Sequence, residues 1–469
     1  MERLINEQPD EDSIDNNCRL RHGLNVHCLA KIFQYLDTLD LLTVGEMNAF
    51  YRQIIDNFVI SKHRFNIKPG DMALRVFERY GPKIRKININ IHIRGTAVEI
   101  INLFSRFCSH DELRDISINA KSNIDRIVLP LHFARVEKFH FAGYIRSFDI
   151  LPTNLICEPL SASLRYLSLD SVKLDRNFSW TELKNLTELK LRMVYGINIQ
   201  HFIEFLRLRP NLKVLHLNTF RLFGNSKQEV FAAFAEYCGN QIQDFCDESN
   251  ILPPLSFIAA LVKLKSIYLP MIQRSGGDIV AAIRQLARNN TIEKLKLSYA
   301  RFERHDKNSI LQKDGAFGMN HFDHLKTIHI EILYADKTKH RRVCDILNIF
   351  SVYSSQMLSH VEKLILVERW PVDLIYDWNF IKFVPNLRHL IFIGDIPNAA
   401  QAGQILSMLE TILRTRHNDQ TSGDFIEVKF SNDQVLTVFV NVAGQNDHIK
   451  LIKLHEYEKD DFISHGKFK

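Results

Sequence analysis

The chain has 469 residues, 46% of them apolar, with 60 Lys and Arg against 54 Asp and Glu. At about 100–200 residues per domain, that length allows two to four domains or one long repeat array, with core enough to need no disulfides. A net charge of +6 over such a length is no argument for a nucleic-acid partner, and no apolar run approaches the roughly 20 residues of a membrane span.

Residues 1–22 are acidic and polar, without the apolar core of a signal peptide. They are expected to form a disordered tail on a cytoplasmic or nuclear protein. Seven cysteines lie at 18, 28, 108, 157, 238, 246 and 344, with no Cys-x-x-Cys pair. Zinc and thioredoxin-like sites need that local spacing, so reduced thiols are the expectation.

Leu29, Ile32, Phe33 and Leu36 follow i, i+3, i+4, i+7 and line one face of a helix. Asp37-Thr-Leu-Asp breaks the pattern, and Asp40 is the expected N-cap of the next helix. Leu41, Leu42, Val44, Met47 and Tyr51 carry the apolar pattern through two more short helices. Three helices of this size are not stable alone, so their apolar surface must lie against the rest of the chain or another protein.

The residue order over 23–62 resembles the F-box motif. Leu24 is followed by Ile32-Phe33-Gln34-Tyr35-Leu36, then Asp40-Leu41-Leu42, then Tyr51-Arg52. Asn25, Asn48 and Tyr51 stand where that family has Pro, Cys and Trp. The resemblance implies docking on the Skp adaptor and cullin scaffold of a ubiquitin ligase. Leu24, Ile32, Phe33, Leu36, Leu41, Leu42, Met47 and Tyr51 would then form the adaptor-facing and internal apolar surface. Without the resemblance, the same helices read as a cap on whatever follows.

From Ile84 onward one pattern returns: apolar, x, x, apolar, x, apolar. It appears as IRKINI, LRDISI, VEKFHF, LRYLSL, LTELKL and LKVLHL between 84 and 217. After a degenerate copy, IQDFCD (242–247), it continues as LKSIYL, IEKLKL, LKTIHI, VEKLIL and LRHLIF up to 392. Copies fall 22 to 36 residues apart, the period of a supersecondary unit. The last two apolar positions are two apart, so a strand points both to one side; stacked copies bury that side as a parallel sheet. Helical spacing fills several gaps, as in 199–209, 227–239, 276–290 and 398–416, and Pro-Asn turns precede Leu212 and Leu387.

The motif resembles the leucine-rich repeat over about three quarters of the chain. An α/β solenoid over 63–420 is therefore expected, with parallel strands on a concave side, helices on the convex side and the F-box in front. Where that family carries a buried Asn or Cys, this chain has Val172, Val194, Phe220, Ile272 and Leu333. A doubly wound open sheet is the competing arrangement, although such sheets rarely exceed about ten strands.

Residues between the core positions face the open side, among them Lys190, Arg192, His216 and Asn218. Ile365, Val367, Ile391 and Ile393 make an apolar patch there that needs covering. Either it is a substrate site or the alternating segment 424–442, within a C-terminal region 421–469, closes it as a hairpin. No nucleophile elbow, metal-binding helix motif or phosphate loop is present. His321 and His324 lack a further local ligand, and the basic run KTKHRR (337–342) lies in a long gap. The expectation is a non-catalytic receptor without cofactor or metal, holding an unidentified protein substrate, with neither membrane nor nucleic acid as partner. A repeat scaffold without a ubiquitin role is the alternative.

Overall fold

The computed structural model describes residues 24–68, 70–91, 96–109, 111–120, 135–143, 150–151, 163–174, 178–208, 210–218, 223, 226–248, 252–270, 276–299, 322–332, 358–368, 384–393, 407, 409, 425–430 and 435–439. Residues 1–22, the 337–342 run, His321 and nearly all of 398–416 lie outside them. The chain divides into two units, Met1–Leu212 with Arg221–Phe223, and Lys213–Phe220 with Gly224–Lys469.

The first unit opens with helices α1 (Val26–Phe33), α2 (Thr38–Met47) and α3 (Ala49–Ile54), the last running into a π turn over Ile55–Val59. Six parallel strands follow: β1 (Arg64–Ile67), β2 (Lys86–Ile91), β3 (Asp115–Ala120), β4 (Lys138–Ala142), β6 (Tyr166–Asp170) and β8 (Glu188–Arg192). The short strands β5 (Ile150–Leu151) and β7 (Lys173–Leu174) pair separately. Helices α4 (Asp71–Tyr80), α5 (Thr96–Phe107) and α6 (Ile199–Arg207) also belong here.

The second unit has eight parallel strands: β9 (Val214–Leu217), β10 (Asp244–Asp247), β11 (Ser266–Pro270), β12 (Lys294–Tyr299), β13 (Thr327–Ile332), β14 (Lys363–Glu368), β15 (His389–Ile393) and β16 (Phe425–Phe430). A last strand, β17 (Val435–Phe439), runs antiparallel to β16. Its helices are α7 (Lys227–Tyr237), α8 (Leu255–Ala260) and α9 (Gly276–Asn289).

In both units strand order follows chain order, without the reversal of a doubly wound sheet. Every copy of the apolar motif contributes a strand beginning at its third residue. Within each unit a shared carbonyl fixes the register of successive copies. The Arg85 carbonyl accepts the N–H groups of Arg114 and Asp115 at 2.9 and 3.1 Å, and the Arg114 carbonyl those of Glu137 and Lys138 at 2.8 and 3.0 Å. Lys213, Gln243, Lys265, Glu293, Lys326 and Glu362 accept pairs in the same way. One oxygen with two lone pairs thus seats two donors that the strand ladder leaves over.

The alternation puts Ile87, Ile89, Ile116, Ile118, Leu167, Leu169, Leu189 and Leu191 in the core. Helices meet this side: Phe231 of α7 and Phe257 of α8 stand 6.5 and 5.0 Å from Phe245 of β10, ring centre to ring centre. In the first unit Trp180 packs edge-on against Phe178 and Phe202, each at 4.8 Å. Val172 and Val194, where the resembled family has a polar ladder, are fully buried.

In the degenerate copy the last core position is Asp247, which is fully buried. Lys227 reaches it from the first turn of α7, Nζ to Oδ2 4.0 Å, and also lies 5.4 Å from the centre of the Phe231 ring. A charge here is tolerated because it is paired and its cation's stem is packed.

Candidate functional site

Two surfaces qualify. The first is the outer side of α1–α3. Each residue that departs from the resembled motif has a local task. Asn25 Oδ1 accepts the Cys28 N–H at 2.8 Å and caps α1. Asn48 Oδ1 accepts the Phe50 N–H at 2.8 Å and caps α3. Tyr51 packs edge-on against Phe33, ring centres 5.5 Å apart. The cap of α2 is Asp37, which accepts the Leu39 and Asp40 N–H groups at 2.8 and 2.9 Å, so Asp40 is not the cap. Asp37 has extended backbone with ψ 174°, whereas Asp40 is already inside the helix.

The inner face is complete. Phe33, Leu41, Leu42, Ile54, Ile55 and Val59 are all buried. Thr38 Oγ1 accepts the Asn66 N–H at 2.8 Å and fastens α2 to strand β1. Asp56 pairs with Arg79 at 2.8 Å and Lys83 at 3.4 Å, and Glu46 with Arg75 at 2.6 Å. Gly45 is glycine because a Cβ there would come within 2.8 Å of Tyr80 Oη.

The outer face is not filled. Ile32 is 48% exposed, Leu39 50%, Met47 75% and Tyr35 82%. Of nine large exposed apolar side chains among the described residues, five (these four and Leu24) fall between 24 and 47. Leu36 and Tyr51 are half-buried, and Phe33, Leu41 and Leu42 point inward. The eight residues singled out from the sequence therefore divide into an outer and an inner set. Tyr35 and Leu39 join the outer one; only Tyr35's place in the motif pointed to it.

The second surface is the strand face away from the helices. In the first unit it begins with an amide ladder. Asn88 Nδ2 donates to Asn66 Oδ1 at 2.9 Å, and Asn119 Nδ2 to Asn88 Oδ1 at 2.7 Å. Asp115 pairs with Arg64, and Asp170 with Arg192 at 3.5 Å. His140 Nδ1 is 2.9 Å from Ser168 Oγ. Burial pushes the His140 pKa down, against the opposing pull of Asp170, so its ring is neutral at pH 7. Lys190 Nζ lies 5.4 Å from the Tyr166 ring centre.

In the second unit His216 Nε2 is 3.5 Å from Asp244 Oδ2, and Asn218 follows β9, half-buried. Lys296 Nζ lies 4.7 Å from the Tyr268 ring centre and 3.3 Å from Glu331 Oε2. Burial raises the Tyr268 hydroxyl and the Cys246 thiol, and lifts Cys238 to about 12, so none of these ionises near neutral pH. Ile365 and Val367 are half-buried, Ile391 is buried, and the Ile393 side chain lies outside the description. Strand β16 joins β15 edge to edge, with Ile391 opposite Lys429, so the C-terminal hairpin extends the sheet at this end. Lys190 and Arg192 belong to the first unit and His216 and Asn218 to the second, and each pair is read with its own unit.

Among the described residues no group of three His, Cys, Asp or Glu side chains could hold a metal ion. None of the described helices is long and apolar enough to cross a membrane. The chain matches no known family profile and no curated protein. Among solved structures it is similar to a leucine-rich-repeat protein of Leptospira interrogans. Identity is 14%, covering 73% of this chain and 91% of that one, with a TM-score of 0.29. That likeness is too slight to place the chain in a family.

Proposed function

We propose that this chain is the substrate-recognition subunit of an SCF-type ubiquitin ligase. Its α1–α3 module docks on the Skp adaptor, and its repeat face, of leucine-rich-repeat type, holds a protein substrate. The receptor needs no chemistry of its own, because the partner complex brings the charged ubiquitin-carrying enzyme. The observation that carries this reading is the division of the module into two faces. Phe33, Leu41 and Leu42 fill the inner one, while Ile32, Tyr35, Leu39 and Met47 remain in water. Burying each such side chain is worth about 1.5–3 kcal/mol, and a cap alone has no use for them.

A second reading keeps the module only as the end cap of a repeat scaffold. It draws on the Thr38–Asn66 hydrogen bond and the ion pairs to α4, which seat the helices on the first strand. Co-expression with the Skp adaptor separates the two. The full chain should carry the adaptor through two purification steps. The Ile32→Glu/Met47→Glu variant should lose it while keeping its melting temperature. No capture by the folded wild-type chain would leave the cap reading standing.

A further inference from the structure

The strand face of the first unit carries five cations, Arg64, Lys86, Lys138, Lys190 and Arg192, and three acids, Asp115, Asp170 and Glu188. Two cations are already held, Arg64 by Asp115 and Arg192 by Asp170. Lys138 is the register partner of Tyr166 on one side, and Lys190 lies over the same ring from the other. Neither lysine has an ion pair among the described residues. Tyr166 thus lies on the strand between the two lysines, with Lys190 over its ring.

The second unit supplies the occupied counterpart. There Lys296 lies over Tyr268, its direct partner in the register, and the chain itself provides the anion, Glu331, at 3.3 Å. From this parallel we infer that the first unit's strand face binds an acidic, extended segment of a partner protein, with carboxylates on Lys138 and Lys190 and the chain crossing Tyr166. The inference rests on the reading that the repeat face holds a protein and is independent of adaptor docking.

Spacing and sign favour a peptide over a nucleic acid. Two strand separations and two residues along the strand put the lysine backbones about 12 Å apart. An extended peptide covers that in about three to four residues. Glu188 and Asp170 sit between and beside the cations, where the continuous charge of a phosphate backbone would be repelled. A peptide can place neutral residues there.

The test is fluorescence anisotropy of the full chain with a labelled dodecapeptide carrying Glu at every third residue, and the same peptide with Gln as control. The Glu peptide should bind saturably, the Gln peptide should not, and added salt should weaken binding. Lys138→Glu/Lys190→Glu should lose about tenfold in affinity or more. Lys265→Glu/Lys294→Glu, an equal charge change on the second unit, should lose less than about twofold. Lys138→Gln/Lys190→Gln gives the same reading if charge reversal harms folding. Absent binding, equal loss in both double variants, or tighter binding of a single-stranded oligonucleotide overturns the inference. Adaptor capture alongside absent peptide binding would sink this inference alone, and the reverse would leave it intact.

Discussion

In the first unit Lys190 lies over Tyr166 and meets no acid among the described residues; in the second Lys296 lies over Tyr268 and reaches Glu331 at 3.3 Å. The two lysines occupy the same place in the repeat, so the repeat motif does not decide their roles. The neighbouring strand does. Glu331 is only 5% exposed, and a carboxylate that far from water needs its cation. Lys296 is thereby bound into the stability of the fold, while Lys190 has no ion pair among the described residues.

Removing each ammonium in turn separates the two lysines. Lys296→Met removes the cation beside the buried Glu331 carboxylate and should cost about 3 kcal/mol in urea unfolding. A loss below about 1 kcal/mol would mean that Glu331 finds other support. Asp247→Leu, which leaves Lys227 without its carboxylate in the interior, should cost about 2–3 kcal/mol. Adding Lys227→Met should restore most of it, because replacing a buried pair by packed apolar groups is neutral to stabilising. Lys190→Met, by contrast, should change stability by less than about 0.5 kcal/mol, as half-exposed unpaired charges do. A larger loss would move Lys190 into the structural class of Lys296.

The smallest expected effect is on pH dependence. His140 and His63 both have pKa values lowered by burial from the ordinary 6.5. As pH falls through 6.5 the unfolded chain takes up protons that the folded chain resists, so folded stability drops. His140→Gln should make that drop shallower between pH 6.5 and 5, with His63 supplying the remainder. An unchanged slope would mean that His140 is not desolvated as its surroundings imply.

Much of the fold was legible because the repeat restates one physical rule: two apolar residues two apart share a side. Strand β1 escapes the pattern because Lys62 stands where the other copies have their first apolar residue, leaving only Phe65 and Ile67 to signal a strand. The Tyr–Lys pairs were not legible either. Their members are joined across strands, and the gap between copies varies from 22 to 36 residues, so sequence spacing does not reveal which side chains meet. In the helical module the two asparagines read as departures from a motif, and the structure gives them work as helix caps. The division into outer and inner faces depends on how the helices cross, which apolar spacing along a single helix does not contain.

One titration tests what the outer face of α1–α3 does. Purified full-length chain is titrated with purified Skp adaptor in a calorimeter, beside the Ile32→Glu/Met47→Glu variant. Wild type should bind saturably and one-to-one with a negative heat-capacity change from apolar burial, and the variant should give no detectable heat. Wild type and variant binding alike, or a folded wild-type chain that does not bind, would contradict it.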